Sequence, residues 1–480
     1  MHLTETSSST GRFVELRNVL RVSTPLMLGM GGNLALILVD RISLANYSVE
    51  TLQASGPAVF TATTLIVLAT GTVGISRSFV AQAHGRGDVK ATHREAALGT
   101  ILALIIAVVV LMITPLLVMA PKLSGQPPAI EQLESQYLAL STTFGAVMTL
   151  NMALASYFNG TQRTRVPMGV ALTGQAVGIV ATVSLVFGYG PLPELGMRGA
   201  AIGTLIAVTV MFAGYLSFLP ASFYHSFARL LRRPVALGAA LGLRFRKGIP
   251  SGASLGLEEL GQTAFVWLAA ILGLAALGAN NVALSINYAA VIPLIGLGYG
   301  CSILSAGAVG ADDFSRVWRI IRSTLLIALT YVSIIGFFQV ATPHLLLAPF
   351  GIGSLDSATA DMAAATSRFL WAYAAAFAFS MIGSAVLESV GLARFAFRTR
   401  IISMWLICIP AIGLLVWLQA GNGRALPWMW VIFAACEGAM GLACFIRIGR
   451  VVKRHENYLQ NHHASTDSAA SSSESETVVL

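Results

Sequence analysis

Five carboxylic acids lie inside long apolar stretches of the chain, where a charge is costly and usually serves a function. They are Asp40, Glu258, Glu259, Glu388 and Glu437. A carboxyl group in such surroundings can bind a proton or a cationic ligand, because burial disfavours its ionised form. These acids are therefore the first candidates for chemistry in this sequence.

Asp40 has a polar neighbour on its own helical face. Asn33 precedes it by seven residues, which is about two turns of an α-helix, so the two side chains lie on one side. The pair can coordinate a cation, or Asn33 can orient the carboxyl group of Asp40. Alternatively, Asp40 forms a salt bridge with Arg41 or lies in water at a membrane interface. We predict that Asp40 and Asn33 couple an ion.

Glu258 is the second candidate, and we predict that it binds both the coupling ion and the cargo. Gln262 follows it by four residues and therefore projects from the same helical face. Glu388 and Tyr288 complete the predicted substrate-binding set. Alternatively, neighbouring helices satisfy the Glu258 carboxylate and give it a structural role. Glu388 can instead lie at the cytoplasmic rim near Arg394, and Tyr288 can be an ordinary packing residue.

The composition indicates which kind of structure holds these residues in position. Of 480 residues, 56% are hydrophobic and only 11% are charged, whereas soluble proteins have about 25% charged residues. Such a chain cannot cover its surface with polar side chains in water, but it can face lipid. This excludes soluble enzymes and nucleic-acid-binding proteins, despite a net charge of +9. The sequence shows neither a Walker A motif nor a catalytic constellation, so we expect no enzyme, metal or cofactor.

Twelve stretches are long and apolar enough to cross a bilayer core as helices, which takes about 20 residues. They cover residues 22–45, 55–80, 96–120, 137–159, 166–189, 197–219, 248–272, 279–306, 318–342, 366–391, 399–419 and 427–446. Closed β-barrels need strands of alternating polarity, which these stretches do not show. The sequence therefore predicts an all-α integral membrane protein with twelve transmembrane helices.

The basic residues indicate the orientation of these helices. Of 30 Lys and Arg residues, 24 lie at the two termini and in the even-numbered connections, and only five lie on the other side. Because cytoplasmic loops collect Lys and Arg, both termini are predicted to be cytoplasmic. Arg is far commoner than Lys and Ala is abundant, which is typical of a GC-rich bacterial genome and indicates the cell inner membrane.

The two halves of the chain resemble each other. At an offset of 225 residues, Pro25 aligns with Pro250, Gly85 with Gly310, and Asp88 with Asp313. Each half has an even number of spans, so both halves have the same orientation, and their symmetry axis lies along the membrane normal, as in some secondary transporters. A substrate site is then expected between the halves near the middle of the membrane.

This repeat gives the predicted domain organisation. Two six-helix lobes, residues 22–220 and 248–450, are related by a pseudo-twofold axis along the membrane normal. A cytoplasmic N-terminal tail covers residues 1–21, and a basic cytoplasmic connector covers 221–247. Residues 451–480 are rich in Ser, Thr, Glu and His and are predicted to form a disordered cytoplasmic tail.

Several segments with this spacing resemble the multidrug and toxic compound extrusion (MATE) family. They are STPLML around Pro25, VDRI around Asp40, AHGRGD ending at Asp88, PELGMRGAA ending at Ala201, RKGIPSG around Pro250, and VGADD ending at Asp313. The resemblance extends over about residues 15–450. It implies a V-shaped pair of lobes that exports organic cations or other amphipathic compounds in exchange for H⁺ or Na⁺.

The resemblance also implies roles for single residues. Asp40 and Glu258 match the family's acids in spans one and seven, which are implicated in ion coupling and substrate binding. Where many relatives have Asn or Asp in span five, this chain has the stretch 174–182, GQAVGIVAT. The acid that some relatives have in span ten aligns near Ser380, which leaves Glu388 as a displaced candidate. These departures favour H⁺ coupling through Asp40 and Glu258 over a complete Na⁺ site.

Two other functions stay open at this stage. The first is that of a flippase of lipid-linked or lipid-like substrates, as in the wider superfamily. The acidic residues within the spans favour a cationic cargo over such substrates. The second is the export of one endogenous metabolite. In each case we expect a monomer in the lipid bilayer that binds a small molecule and no nucleic acid.

Overall fold

The regular structure of the chain is helical throughout the part described by the computed structural model, which covers residues 3–119, 121, 128–190, 192–232, 234–343, 357–419 and 422–476. The first half forms the N-lobe. Its helices are α1 (Leu3–Tyr47), α2 (Val49–Gly74), α3 (Ser76–Gly85), α4 (Val89–Met119), α5 (Pro128–Gly160), α6 (Arg165–Phe187) and α7 (Met197–Phe218). A short helix, α8 (Ala221–Leu231), connects it to the second half.

The second half forms the C-lobe. Its helices are α9 (Pro234–Ile271), α10 (Leu274–Gly310), α11 (Phe314–Ala341), α12 (Ser357–Ser389), α13 (Ala393–Arg400), α14 (Ile409–Leu418) and α15 (Leu426–Glu476). A π-helical segment, Ile401–Cys408, joins α13 to α14 without a break, so the three together form one span. The predicted connector 221–247 is therefore largely helical, because α9 begins at Pro234 and continues into the seventh span.

Among the described residues, eleven helices are long and apolar enough to cross a membrane. The seventh predicted span, in α9, is not one of them. Glu258, Glu259 and Gln262 follow one another closely in the middle of that span and lower its hydropathy. Its place in the C-lobe is nevertheless that of a spanning helix, since α9 packs against the eleventh span as α1 packs against α6.

The packing repeats between the lobes. In the N-lobe the fourth span, α5, contacts the second, third and sixth spans, and in the C-lobe the tenth span, α12, contacts the eighth, ninth and twelfth. Between the lobes, α2 contacts α9 and α1 contacts α10, which are equivalent pairs under exchange of the halves. The predicted all-α architecture of two six-helix lobes related by a pseudo-twofold axis is thus confirmed.

The aspartates matched between the halves also occupy equivalent places. The Asp88 carboxylate accepts a hydrogen bond of 2.8 Å from the Ala91 amide at the start of α4. The Asp313 carboxylate accepts one of 2.9 Å from the Arg316 amide at the start of α11. Each aspartate therefore caps the third span of its lobe, which satisfies an amide that the helix itself leaves unpaired.

The lobes meet at one end of the bundle, which we call the basic end because the clustered Arg and Lys residues lie there. At this end Gly85 lies so close to Gly307 that a Cβ atom would overlap the Gly307 carbonyl oxygen. Gly310 lies equally close to the Gln82 carbonyl oxygen. Residues 82 and 307 are themselves related by the offset of 225, so this contact between the second and eighth spans is symmetric.

The contact between the lobes ends partway along the helices. On α1, Ser23 and Met27 pack against Gly300 and Gly296 of α10, but one turn further on, a Cβ atom at Gly31 would meet no atom within 4 Å. The lobes therefore pack together near the basic end and diverge beyond Met27, which gives the expected V shape.

Ion pairs also join the lobes at the basic end. Three of them cross from one lobe to the other: Arg316 with Glu15 at 2.8 Å, Arg77 with Glu388 at 3.6 Å, and Arg244 with Glu95. Arg244 and Glu95 are both buried, so that loss of one member leaves the other charge without compensation. Close packing and opposite charges thus hold the same end of the molecule closed.

Two sequence predictions about the termini stay predictions. The helices α1 and α15 extend into the predicted tails, from Leu3 and as far as Glu476. These two predictions are the cytoplasmic location of residues 1–21 and the disorder of residues 451–480.

The close contact between the lobes predicts an effect of a single methyl group. Gly310→Ala should lower the free energy of unfolding by about 1–3 kcal/mol, because the new Cβ forces apart two backbones that have no room to adjust. Thermal unfolding in detergent, together with distances between spin labels on the two lobes at the basic end, measures both consequences. Gly31→Ala is the matched control, which should leave the distances unchanged and should not lower the stability, because alanine favours a helix more than glycine does. Equal stability of the two variants would contradict the tight crossing.

Candidate functional site

Asp40 lies in the N-lobe and is held by two hydroxyl groups. Thr182 on α6 donates a hydrogen bond of 2.9 Å to Asp40 Oδ1, and Thr204 on α7 donates one of 3.0 Å to Asp40 Oδ2. Thr182 is fully buried, whereas Asp40 is half-buried. No ion pair with Arg41 is formed at this carboxylate among the described residues. Asp40 is thus satisfied by neutral donors alone.

The two threonines reach Asp40 because α6 and α7 pack very closely. A Cβ atom at Gly203 would overlap Thr182, and one at Gly178 would overlap Ala207. Glycines at these positions let the backbones of α6 and α7 approach each other. This brings Thr182 and Thr204 to the same side of α1. The span-five stretch GQAVGIVAT, which lacks the acid or amide of many relatives, therefore still contributes a polar group to Asp40 through its last residue.

Asn33 is not joined to Asp40 in this structure. It is exposed. On α6, Gln175 packs against the preceding residue, Gly32, and its amide donates a hydrogen bond of 3.2 Å to the Gly29 carbonyl oxygen. The predicted ion-coupling role of Asn33 stays a prediction, and any contact with Asp40 would require a bridging ion or water.

Glu258 lies in the C-lobe, and an arginine compensates its charge. Arg400 Nη2 lies 3.1 Å from Glu258 Oε2, and Arg400 Nη1 lies 2.7 Å from Glu437 Oε1. Ser380 donates a short hydrogen bond to the other oxygen of Glu437. We call Glu258, Arg400 and Glu437 the C-lobe triad. It brings together spans seven, eleven and twelve within one lobe.

The π-helical segment after Arg400 holds the triad in place. Trp405 in this segment donates a hydrogen bond of 3.2 Å to the Leu257 carbonyl oxygen, next to Glu258. Ser403 donates one of 2.6 Å to the Cys436 carbonyl oxygen, next to Glu437. Such segments are often found at functional sites, because the wider turn places side chains where an α-helix would not. Both carboxylates are therefore fixed relative to Arg400 through their backbones.

Gln262 and Tyr288 come together one turn further along α9. The Tyr288 hydroxyl donates a hydrogen bond of 3.2 Å to Gln262 Oε1. Behind them, Phe265, Tyr373, Trp430 and Phe433 form a cluster with ring centroids 4.9–6.2 Å apart. A cavity of about 10 Å³ lies among these side chains, which is room for about one water molecule. An organic cargo would therefore contact Gln262 and Tyr288 from outside the C-lobe, where Tyr288 is exposed.

Glu388 lies apart from the triad, at the contact between the lobes. It forms the ion pair with Arg77, and Ser251 donates a hydrogen bond of 2.5 Å to its Oε1 atom. Arg77 also lies over the ring of Tyr299, 4.0 Å from the centroid. Ser251 precedes Glu258 by seven residues, so Glu388 is about 10 Å nearer the basic end than Glu258. Its predicted role in substrate binding stays a prediction, while Arg77 has the acidic partner that an arginine within a span needs.

The sequence interpretation missed Arg400. Arg400 is one of the 24 basic residues that the sequence analysis assigned to cytoplasmic segments, as are Arg394 and Arg398. In the structure it is only 3% exposed and lies inside the C-lobe. Its position at the start of the apolar stretch 399–419 was the available signal. Thr182 and Thr204 were also not predicted as site residues, and Glu437 was a candidate acid without an assigned role, since their roles depend on partners in other spans. In the described residues no group of three or more His, Cys, Asp or Glu side chains is arranged to hold a metal ion.

Comparisons with known proteins agree with this architecture. The MatE family model matches residues 25–183 and 250–412, that is, one match in each lobe. Curated relatives include a probable multidrug resistance protein NorM from Deinococcus radiodurans, 27% identical over 74% of this chain and 78% of its own length. Another, from Pseudomonas putida, is 26% identical over 90% of this chain and 92% of its own length.

Solved structures show the same fold. One, described as the outward-facing conformation of a multidrug resistance MATE family transporter of the MOP superfamily, superimposes with a TM-score of 0.78 at 17% identity. The match covers 92% of this chain and 96% of that one. The family model matches well over half of the residues and repeats in the two lobes found here, so the chain belongs to the MatE family.

Proposed function

We propose that this protein is a bacterial inner-membrane antiporter that exports organic cations or other amphipathic compounds in exchange for H⁺ by alternating access. Its relatives bear names that describe multidrug resistance proteins. The observation that carries the proposal is the placement of one carboxylate in each lobe, Asp40 and Glu258, of a molecule whose lobes pack tightly together toward the basic end. Each carboxylate can exchange a proton for another positive charge.

The surroundings of Asp40 favour H⁺ as the coupling ion. A hydroxyl group can donate or accept a hydrogen bond simply by rotating. Thr182 and Thr204 can therefore satisfy Asp40 both as a carboxylate, by donating twice, and as a carboxylic acid, by accepting from it once. The site can gain and lose a proton without any rearrangement of the helices. A sodium ion would need additional oxygen ligands beyond these three side chains, which makes Na⁺ the alternative to be tested.

Closure at the basic end supports alternating access. If that end is cytoplasmic, as the distribution of Lys and Arg predicts, this structure opens away from the cytoplasm. The opposite state must separate the glycine contacts and the three ion pairs that join the lobes. Cargo and proton drive export if they favour opposite states, since a ligand shifts a conformational equilibrium only by its difference in affinity for the two states.

The proposal predicts that Asp40→Asn abolishes export driven by a proton gradient. The amide keeps the size of the side chain but cannot be protonated reversibly. Its oxygen accepts from one threonine, and the other threonine hydroxyl can rotate to accept from its NH2 group, so the variant should insert and fold normally. The measurement is efflux from proteoliposomes under H⁺ or Na⁺ gradients, with a panel of organic cations and metabolites.

Thr182→Val is the companion variant and should lower the rate of export without abolishing it, because one hydroxyl donor, Thr204, remains at Asp40. Export by Asp40→Asn at the wild-type rate would refute the assignment of Asp40. Export that follows only a Na⁺ gradient would replace H⁺ as the coupling ion, and transport restricted to lipid-linked compounds would indicate a flippase.

The predicted orientation has its own test. Cysteine substitutions near Arg232, at the end of α8, and at Ser471, in the predicted C-terminal tail, should react only with reagents that reach the cytoplasm. A permeant and an impermeant maleimide applied to intact cells distinguish the two sides. Labelling of either position by the impermeant reagent would contradict cytoplasmic termini.

A further inference from the structure

The C-lobe triad contains one more acid than base. Arg400 is always charged in proteins, and it contacts both Glu258 and Glu437 directly. When both acids are ionised, the triad carries one negative charge that its own arginine does not compensate. This excess is a property of the three residues together, because Arg400 is shared.

We propose that the triad acts as one binding site for a single positive charge, so that Arg400 and Glu437 limit the cargo to monovalent cations. This inference rests on the proposed function and specifies its cargo class. Glu258 is the member that touches the cargo, whereas Arg400 and Glu437 set the charge that Glu258 presents. A proton or a monovalent organic cation satisfies the site, and a dication or an anion does not.

Burial supports this division of roles. The side chain of Glu258 is 15% exposed, and those of Arg400 and Glu437 are 4% and 5% exposed. Both oxygens of Glu437 already have partners, Arg400 and Ser380. The incoming charge therefore reaches the triad at Glu258, on the face of α9 that also carries Gln262 and, through it, Tyr288.

Within the part of the chain that the structure describes, no other cation removes the excess charge of the triad. Among the described residues of the C-lobe, the further titratable groups near the triad are Glu259 on α9, Tyr288 on α10, Tyr373 on α12, and Cys436 and Cys444 on α15. Of these only Glu259 is an acid, and it is not counted with the triad because Arg41 offsets its charge. Arg41 on α1 of the N-lobe acts on Glu259 and Tyr288 and is not an ion-pair partner of Glu258 in the described structure.

The energetic reason is the cost of an isolated charge in a membrane protein. An ion taken from water into the interior loses its solvation free energy, and only a partner of opposite charge compensates for that loss. Arg400 returns that energy for one carboxylate but cannot do so for two. The remaining negative charge therefore favours the binding of one proton or one monovalent cation. The proton and the cation compete for the Glu258 carboxylate.

Charge arithmetic provides a test that separates this inference from a role for Glu258 alone. Glu437→Gln makes the triad neutral without altering Glu258, and it should weaken the binding of tetraphenylphosphonium, a monovalent probe, by at least tenfold. Arg400→Gln/Glu437→Gln restores one negative charge and should return the affinity to within threefold of the wild type. Arg400→Gln leaves two negative charges and should raise the affinity for the dication methyl viologen at least tenfold.

Binding is measured on purified full-length protein by calorimetry, after each variant is shown to have a cooperative thermal transition. Glu134→Gln, which removes a buried carboxylate of the N-lobe, is the matched control and should bind the probe as the wild type does. If the role of Glu437 is merely structural, removing Arg400 as well should lower the affinity for the probe further. Recovery of the affinity in the double variant is therefore specific to the proposal.

The inference is overturned if Glu437→Gln binds the monovalent probe with unchanged affinity, or if the folded double variant stays tenfold weaker than the wild type. If Glu437→Gln does not fold, the double variant decides by the same threshold. Failure of the proposed function has a different signature, since wild-type protein would then bind none of a panel of monovalent cations, which would also remove the basis of this inference.

Discussion

A charge inside a membrane protein must find its partner within the protein, because lipid offers none. This constraint organises the interior of the molecule. Arg77, Arg244 and Arg316 each pair with an acid of the opposite lobe, and Arg400 pairs with two acids of its own lobe. Charges at the basic end therefore join the lobes, while the charges of the C-lobe triad stay within one lobe. Asp40 differs from all of these, since only hydroxyl groups bond to it.

The pseudo-symmetry of the backbone does not extend to this chemistry. The lobes share the pattern of helix contacts, the capping aspartates and the glycine crossing, which are requirements of the fold. Their interiors differ, since Asp40 in the N-lobe is bonded by two hydroxyl groups, whereas the C-lobe holds an acid–arginine–acid cluster. Because the interiors of the two lobes differ, the lobes can have different functions, such as proton exchange in one and cargo selection in the other.

The sequence predicted the framework better than the sites. Spans and repeats are local or periodic properties, so hydropathy and the matched Pro, Gly and Asp residues were sufficient. Asp40 and Glu258 stood out because a charge in an apolar stretch is rare. Arg400 did not, since it lies next to the loop arginines Arg394 and Arg398, and only the buried acids of two other spans reveal its place. Thr182 was equally hidden, because threonines within spans are common and usually bond to their own helix.

The low hydropathy of α9 has a consequence for the biogenesis of the protein. The translocon must insert a segment that contains Glu258, Glu259 and Gln262, although its compensating partner Arg400 lies some 140 residues later in the chain. At a synthesis rate of about 5–20 residues per second, Arg400 emerges of order ten seconds after Glu258. During that interval the segment has no permanent counter-ion from its own lobe. The basic residues that flank the segment and protonation of its acids therefore favour its insertion before Arg400 is available.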